Sequence, residues 1–564
     1  MKFKDYPYRR PDLEAIKVRF TALLDKFTKA AKADEQDEAM VEINTLRGEF
    51  ESMSQLASIR HTIDTTDTYY EQEQEYFDET TPIYQGLISE FYQALVGSRF
   101  RSALEEKWGR QLFTIAELTL KTFRPEIIED LQLENKLATE YTKLIASASI
   151  MFEGEERNLP GLGPFQQSTD RSMRKKASEA RYGFFAAHEQ AIDKLYDELV
   201  KVRTQIARKL GYENYVELGY ARMLRSDYNP EMVANFRRQV AEQIVPAASK
   251  LRERQRRRLG LAELRYYDEK FSFLKGNAKP QGDPEWILDN GRKMYKELSP
   301  ETDEFFTFML DHELMDLVSK KGKAGGGYCT FISEYYSPFI FSNFNGTSAD
   351  VDVLTHEAGH AFQVYSSRNF SLPEYQWPTY ESCEIHSMSM EFFVWPWMEL
   401  FFKESADKYR FTHLSEALLF IPYGVAVDEF QHFVYSQPEA SIEERKSVWR
   451  QLEKKYLPHR NYESNSYLEQ GGYWHQQSHI FSAPFYYIDY TLAQLCAFQF
   501  WKRSREDRET AWQDYLKLCQ AGGSQSFLEL VKLARLISPF EDQCVQNVVK
   551  AIEEWLDKVD DSQF

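Results

Sequence analysis

Residues 353–364 read Val-Leu-Thr-His-Glu-Ala-Gly-His-Ala-Phe-Gln-Val, an apolar stretch interrupted by two histidines and a glutamate. No other feature restricts the fold so tightly. On a helix, His356 and His360 stand one turn apart on the same face, and Glu357 projects from the neighbouring position. Val353, Leu354, Ala358, Ala361, Phe362 and Val364 make that helix largely buried, and buried polar groups need partners. A metal supplies them: two neutral imidazoles and a carboxylate suit zinc, with one position left for water. Such a water has a pKa of about 7, and Glu357 is near enough to act on it. Thr347 and Asp350 predict a capping box at the start of the helix. The fold must bury this helix and bring a third ligand to it.

Helical periodicity dominates elsewhere. From Pro11 to about Ala31, residues Leu13, Ile16, Val18, Phe20, Leu23, Leu24 and Phe27 fall roughly on one face, after a proline suited to a helix start. Amphipathic stretches continue through Glu42–Ala57, Pro82–Leu95, Arg99–Thr122 and Glu134–Ser147, and long helices resume at about Arg171–Leu210 and Pro230–Leu259. Between them, Ala148–Gln167 carries Gly154, Pro160, Gly161, Gly163 and Pro164 and reads as a hairpin or loop excursion. A chain of 564 residues exceeds the size of one compact core. We place an N-terminal helical lobe at 1–170 and a second region at 171–564.

Two short β-prone runs, Tyr328–Ile332 and Phe339–Phe344, lie just ahead of the histidine helix and predict a hairpin. An edge strand there can pair with an extended peptide through its main chain. Gly326, Gly327 and Tyr328 are the candidate substrate-binding residues, the glycines because they permit close backbone approach.

The net charge of −19 makes nucleic acid an unfavourable partner. The basic run Arg252, Arg254, Arg256, Arg257 and Arg258 reads as a solvated helix face. Five widely spaced cysteines without a CxxC argue against a disulfide framework and against a cysteine zinc site. No stretch of 18 apolar residues predicts a membrane span, and the first residues lack the apolar core of a secretory signal, so the expected location is cytoplasmic. Nothing in the sequence specifies an oligomeric state.

For the third ligand, Glu374 follows Leu372-Pro373 and reads as loop, while Ser382–Phe393 reads as a helix with Glu384 and Glu391 on one face. Spacing leaves Glu381, Glu384 and Glu391 open, with His386 a weaker fourth. Farther on, Tyr473–Tyr490 is dense in donors: His475, His479, Tyr486, Tyr487 and Tyr490. An aromatic stripe of this kind is ordinarily core, yet such donors also stabilise an oxyanion.

His-Glu-Ala-Gly-His, a glutamate 24 residues after the second histidine and another seven further on resemble the thimet oligopeptidase family, most closely its oligoendopeptidase F and Pz-peptidase-like branch. The Gly325–Tyr328 strand start, Asn343–Gly346 and the Phe152–Pro164 excursion are similar as well. The resemblance implies a mainly α zincin fold: two helical lobes enclosing a deep substrate channel, with a small antiparallel sheet beside the histidine helix. It implies one zinc on His356, His360 and Glu384, with Glu391 orienting a zinc-bound histidine. It implies His479 and a following tyrosine, Tyr490 or Tyr487 ahead of Tyr486, as groups that bind substrate and oxyanion. His475 is open between substrate contact and structural residue. The function implied is a zinc metalloendopeptidase acting on oligopeptides too small to be excluded by a narrow channel. A carboxypeptidase-type helical zincin and a non-catalytic peptide-binding protein are the alternatives.

Overall fold

Asp12 caps the first long helix, Leu13–Lys29, by accepting from the amides of Glu14 and Ala15. Ile16, Phe20 and Phe27 are buried there. Val18, expected on the same face, is 72% exposed; it lies two residues from Ile16 and Phe20, about 200° around the helix. The computed structural model, which describes residues 1–564, continues with helices Ala33–Ile63 and Thr68–Val96. Pro82 sits inside the second of these rather than at its start. The stretch expected as one helix at Arg99–Thr122 is two, Arg101–Trp108 and Arg110–Leu120, divided at Gly109 with φ +85°.

These helices share a core of residues such as Phe20, Phe27, Met40, Phe50, Phe77, Phe91 and Leu112, completed by Leu372 and Tyr375 from far along the chain. A larger core runs through the remainder and takes in Leu131, Leu137 and Tyr141 of helix Ile128–Ala146. The first core draws mostly on residues before 120, while Phe3, Tyr6, Leu56 and Ile59 join the larger core.

The excursion after that helix is a hairpin, β1 (Ile150–Phe152) with β2 (Glu155–Arg157). Beside the histidine helix lies a sheet of β3 (Met315–Val318), β4 (Tyr328–Ile332) and β5 (Ser337–Phe344) in the order β3-β5-β4. The expected antiparallel pair is β4 with β5, Cys329 opposite Ile340. The third strand, β3, runs parallel to β5 and makes the sheet mixed. With β5 in the centre, β4 has one free edge.

The basic run is solvated only in part: Arg257 is exposed, whereas Arg252, Arg254 and Arg258 are largely buried. Arg254 donates to the carbonyls of Leu556 and Val559 and pairs with Asp561 at 2.8 Å. Arg258 also pairs with Asp561, and Arg252 lies 3.9 Å from Glu269. The C-terminal segment 556–561 thus uses the charges of Arg254 and Arg258 internally. All five cysteines are free, and no helix is long and apolar enough to cross a membrane.

Candidate active site

The histidine helix spans Ala349–Ser367. Its start is not the expected capping box: the Asp350 carboxylate accepts from the amides of Asn345 and Gly346, each at 2.8 Å, and Thr347 donates to Asn345 Oδ1. This ties the helix to the end of β5. The helix then packs backbone to backbone on helix Tyr380–Phe393 through Gly359. A Cβ at Gly359 would stand 2.6 Å from Ser387 Cα and 2.7 Å from the His386 carbonyl oxygen, so only glycine allows this approach.

That approach brings Glu384, which is fully buried, under the two histidines. Glu384 Oε2 lies 3.2 Å from His356 Nε2 and 3.3 Å from His360 Nε2, and the three ligand atoms fall within 4.8 Å of one another. A tetrahedral zinc with bonds of about 2.0–2.1 Å separates its ligands by about 3.3 Å. Glu391 Oε1 sits 2.7 Å from His356 Nδ1, so Nδ1 carries the proton and Nε2 presents a lone pair. Glu384 Oε1 accepts from the Tyr486 hydroxyl, and Ser387 donates to Oε2 at 2.8 Å. With both imidazoles protonated, His360 and His356 hold the Glu384 carboxyl well below its ordinary value against the upward push of burial; a bound metal takes the place of those protons. The donor set and its spacing fit zinc.

Glu357 is 5% exposed and its Oε2 has no hydrogen-bond partner. Its Oε1 faces the start of β4, 3.1 Å from where a Cβ on Gly327 would be. Burial raises the Glu357 carboxyl, against the opposing pull of His356 and His360.

A chain of donors reaches the same space from the other side. Tyr423 donates to Gln477 Oε1 at 2.9 Å, which turns the Gln477 amide nitrogen toward His479 Nδ1 at 2.7 Å. His479 Nε2–H then points to the Tyr490 oxygen at 3.1 Å, leaving the Tyr490 hydroxyl proton free for another acceptor. Burial pushes His479 down to about 4, so the ring is neutral near pH 7. Tyr490 belongs to helix Tyr487–Glu506, whose start is held by Asp489 paired with Arg225 at 2.7 Å, both fully buried. Arg225 also donates to the carbonyl of Phe485, a residue with φ +68°. That left-handed residue turns the chain so that Tyr486 and Tyr490 face the metal-binding residues.

A cleft of about 950 Å³ opens over this constellation. His356, Glu357, His360, Glu384, His479, Tyr486 and Tyr490 line one side, with Gly327, Tyr328, Cys329 and Thr330 of β4 beside them. The N-terminal lobe adds further lining residues, including Arg47, Glu51 and Gln55.

Residues 3–123 match the family model of the Peptidase M3 N-terminal domain, and residues 165–281 and 297–549 match that of Peptidase family M3. The chain belongs to peptidase family M3. It is therefore a peptidase of a zinc-dependent family. This M3 chain is 24% identical over 429 residues to the oligoendopeptidase F homolog of Borreliella burgdorferi, covering 71% of this chain and 70% of that protein. It is similar to the solved structure of Pz peptidase A with inhibitor 2, with TM-score 0.99, 65% identity and both chains covered in full. A Bacillus anthracis protein provisionally named oligoendopeptidase F gives TM-score 0.95 at 59% identity, covering 100% of this chain and 99% of that one.

Three candidates fall outside the M3 cleft. His475 is fully buried: Nε2 lies 2.9 Å from Asp193 and Nδ1 2.9 Å from Tyr467, so both ring nitrogens are committed to structure. Tyr487 stands behind His479, its ring 5.0 Å away edge-on, and does not line the cleft. Gly326 takes φ +86° and its carbonyl accepts from Asn343, shaping the loop rather than lining the cavity. Tyr486 does line the cleft, but its hydroxyl is engaged by Glu384.

Other residues in or behind the cleft wall carry no local signal. Tyr380, 45% exposed, places its ring 4.6 Å from that of Tyr486. His413 reaches Glu391 Oε2 at 2.7 Å from a different helix. Glu374, read as loop, lies in the short helix Pro373–Gln376 and pairs with Arg47 at 2.6 Å.

Proposed function

We propose that this M3 peptidase is a zinc metalloendopeptidase that hydrolyses internal bonds of short peptides, with one zinc on His356, His360 and Glu384. The observation that carries the reading is the convergence of three ligand atoms, all within 4.8 Å of one another, beside a buried Glu357 oxygen without a partner. When bound, zinc supplies a Lewis acid that polarises the scissile carbonyl and acidifies a water. Glu357 takes the proton of the attacking water and delivers it to the leaving amine; its raised affinity for a proton suits both steps. Tyr490, with His479 donating to its oxygen, offers its own proton to the carbonyl oxygen as negative charge develops there. The free edge of β4 receives the peptide backbone, which favours broad side-chain tolerance. The names of the relatives, oligoendopeptidase F and Pz peptidase, support peptide substrates of limited length.

A carboxypeptidase must grip a terminal carboxylate with a cation. Arg47 is the only arginine or lysine lining the cleft, and Glu374 already holds it at 2.6 Å. A decapeptide acetylated at one end and amidated at the other separates the readings. Mass spectrometry should find internal cleavage; products only from peptides with a free C-terminus would overturn the endopeptidase reading.

A further inference from the structure

The cleft is unevenly charged. Its lining includes four carboxylates, Glu51, Glu357, Glu374 and Glu384, against a single permanent cation, Arg47. Glu357 and Glu384 belong to the metal site. Glu374 holds Arg47 at 2.6 Å and also accepts from the Tyr92 hydroxyl, and both members of this pair are buried, with side chains 7% and 4% exposed. Glu51 is what remains. Its carboxylate lies 3.9 Å from Arg47 Nε, a loose contact beside the Glu374 pair, and its side chain is 36% exposed to the cleft. The same wall carries a second acceptor without a partner, Glu374 Oε2.

The position of Glu51 relates it to the substrate path. Arg47, Glu51 and Gln55 recur every four residues on helix Ala33–Ile63 and so form one stripe facing the cleft. Gln55 Oε1 accepts from Thr330 of β4 at 2.6 Å, and Glu51 stands one helical turn, about 6 Å, along the helix from Gln55. Thr330 is two residues along β4 from Tyr328, the residue that follows Gly327 and the Glu357 carboxylate. A peptide lying along β4 therefore passes Glu51 a few residues from the bond that is cut.

We infer that Glu51 is a specificity-determining residue that favours peptides carrying a cationic group a few positions from the scissile bond, either a lysine or arginine side chain or the free N-terminal ammonium. The inference rests on the endopeptidase reading above. Burial raises the Glu51 carboxyl and the neighbouring Glu374 adds to the effect, while Arg47 opposes it; an arriving cation acts in the same sense as Arg47 and favours the ionised form. An ion pair in this half-exposed setting changes kcat/KM by about fivefold, less at high salt.

The test is a set of decapeptides differing only in lysine, glutamine or glutamate at each position in turn, with free or acetylated N-termini. For the wild-type enzyme, the lysine-to-glutamine ratio of kcat/KM should reach about fivefold at one position. Alternatively, acetylation should lower kcat/KM by a similar factor, which assigns the cation to the N-terminal ammonium. Glu51→Gln should bring the ratio close to one, Glu51→Asp should retain a preference, and Glu51→Lys should turn it toward glutamate. A wild-type ratio near one at every position, with acetylation also neutral, overturns the inference while leaving the peptidase reading intact. So does a preference that persists in Glu51→Gln. If the zinc-loaded wild-type enzyme cleaves none of the peptides, the peptidase reading falls and this inference falls with it.

Discussion

Glu391 holds His356 through a 2.7 Å contact between its Oε1 and His356 Nδ1, and so aims Nε2 of that ring at Glu384. The other Glu391 oxygen is 2.7 Å from His413 Nε2, and Trp395 donates to His413 Nδ1 at 3.1 Å. The Trp395 donor fixes the proton of His413 on Nε2, which completes the hydrogen bonding of Glu391. Burial would push Glu391 up; its two histidine partners hold it below its ordinary value. Glu391→Gln should weaken zinc binding by about 10- to 100-fold, read by competition with a chelating dye. Trp395→Phe should weaken it less and in the same direction. Unchanged zinc affinity in Glu391→Gln would show that the contact does not orient His356.

Tyr490 and Tyr487 should separate cleanly. Tyr490 faces the cleft with a free proton, whereas Tyr487 lies behind His479. Tyr490→Phe should lower kcat by about 100-fold with little change in KM, as expected for a donor used in the transition state. Tyr487→Phe should remain within about twofold of wild type, since it removes no donor from the cleft. The reverse pattern in steady-state kinetics would move the oxyanion assignment to Tyr487.

Gly359 makes a third case. Alanine at an exposed helical glycine gains stability. Here the added methyl meets Ser387 Cα at 2.6 Å and the His386 carbonyl at 2.7 Å, so the two metal-binding helices must separate. Gly359→Ala should cost about 1–3 kcal/mol in urea unfolding and weaken zinc binding as well. A more stable variant with intact zinc affinity would contradict the packing account.

These cases show where the sequence was readable. His356, Glu357 and His360 follow from helical periodicity, because all three lie on one local element. Glu384 required a family resemblance: its selection over Glu381 and Glu391 depends on Gly359 meeting Ser387 across two helices, a contact that no local pattern encodes. His475 sits in the same donor-rich segment as His479, and its Nε2 is committed to the core by Asp193, 282 residues earlier in the chain. The basic run misled for the same reason, since Asp561 lies some 300 residues from Arg254 and Arg258. Strand β3 has four residues, too few for an alternating pattern to register.

A pH effect on stability follows from Asp352, in the first turn of the histidine helix. Burial pushes its carboxyl from an ordinary 3.8 up to about 7, with Glu391 and Glu416 adding to the effect and His413 and Tyr409 opposing it; the Tyr409 hydroxyl donates to it at 2.6 Å. The folded protein therefore holds this proton more tightly than the unfolded chain. The contribution to stability is complete below about pH 4 and is lost as pH rises toward about 7. In thermal unfolding from pH 4 to 8, Asp352→Asn should lose this part of the decline while keeping an acceptor for Tyr409. A slope identical to wild type would mean that Asp352 titrates normally.

The central claim is that His356, His360 and Glu384 hold one zinc on which Glu357 acts as the base. The direct measurement pairs zinc content by elemental analysis with turnover of a quenched fluorescent peptide, for wild type, Glu357→Gln and Glu384→Ala. The account predicts about one zinc per chain with turnover in wild type, about one zinc with turnover reduced at least about 1,000-fold in Glu357→Gln, and loss of both zinc and turnover in Glu384→Ala. Substantial turnover by Glu357→Gln, or full zinc retention by Glu384→Ala, would contradict it.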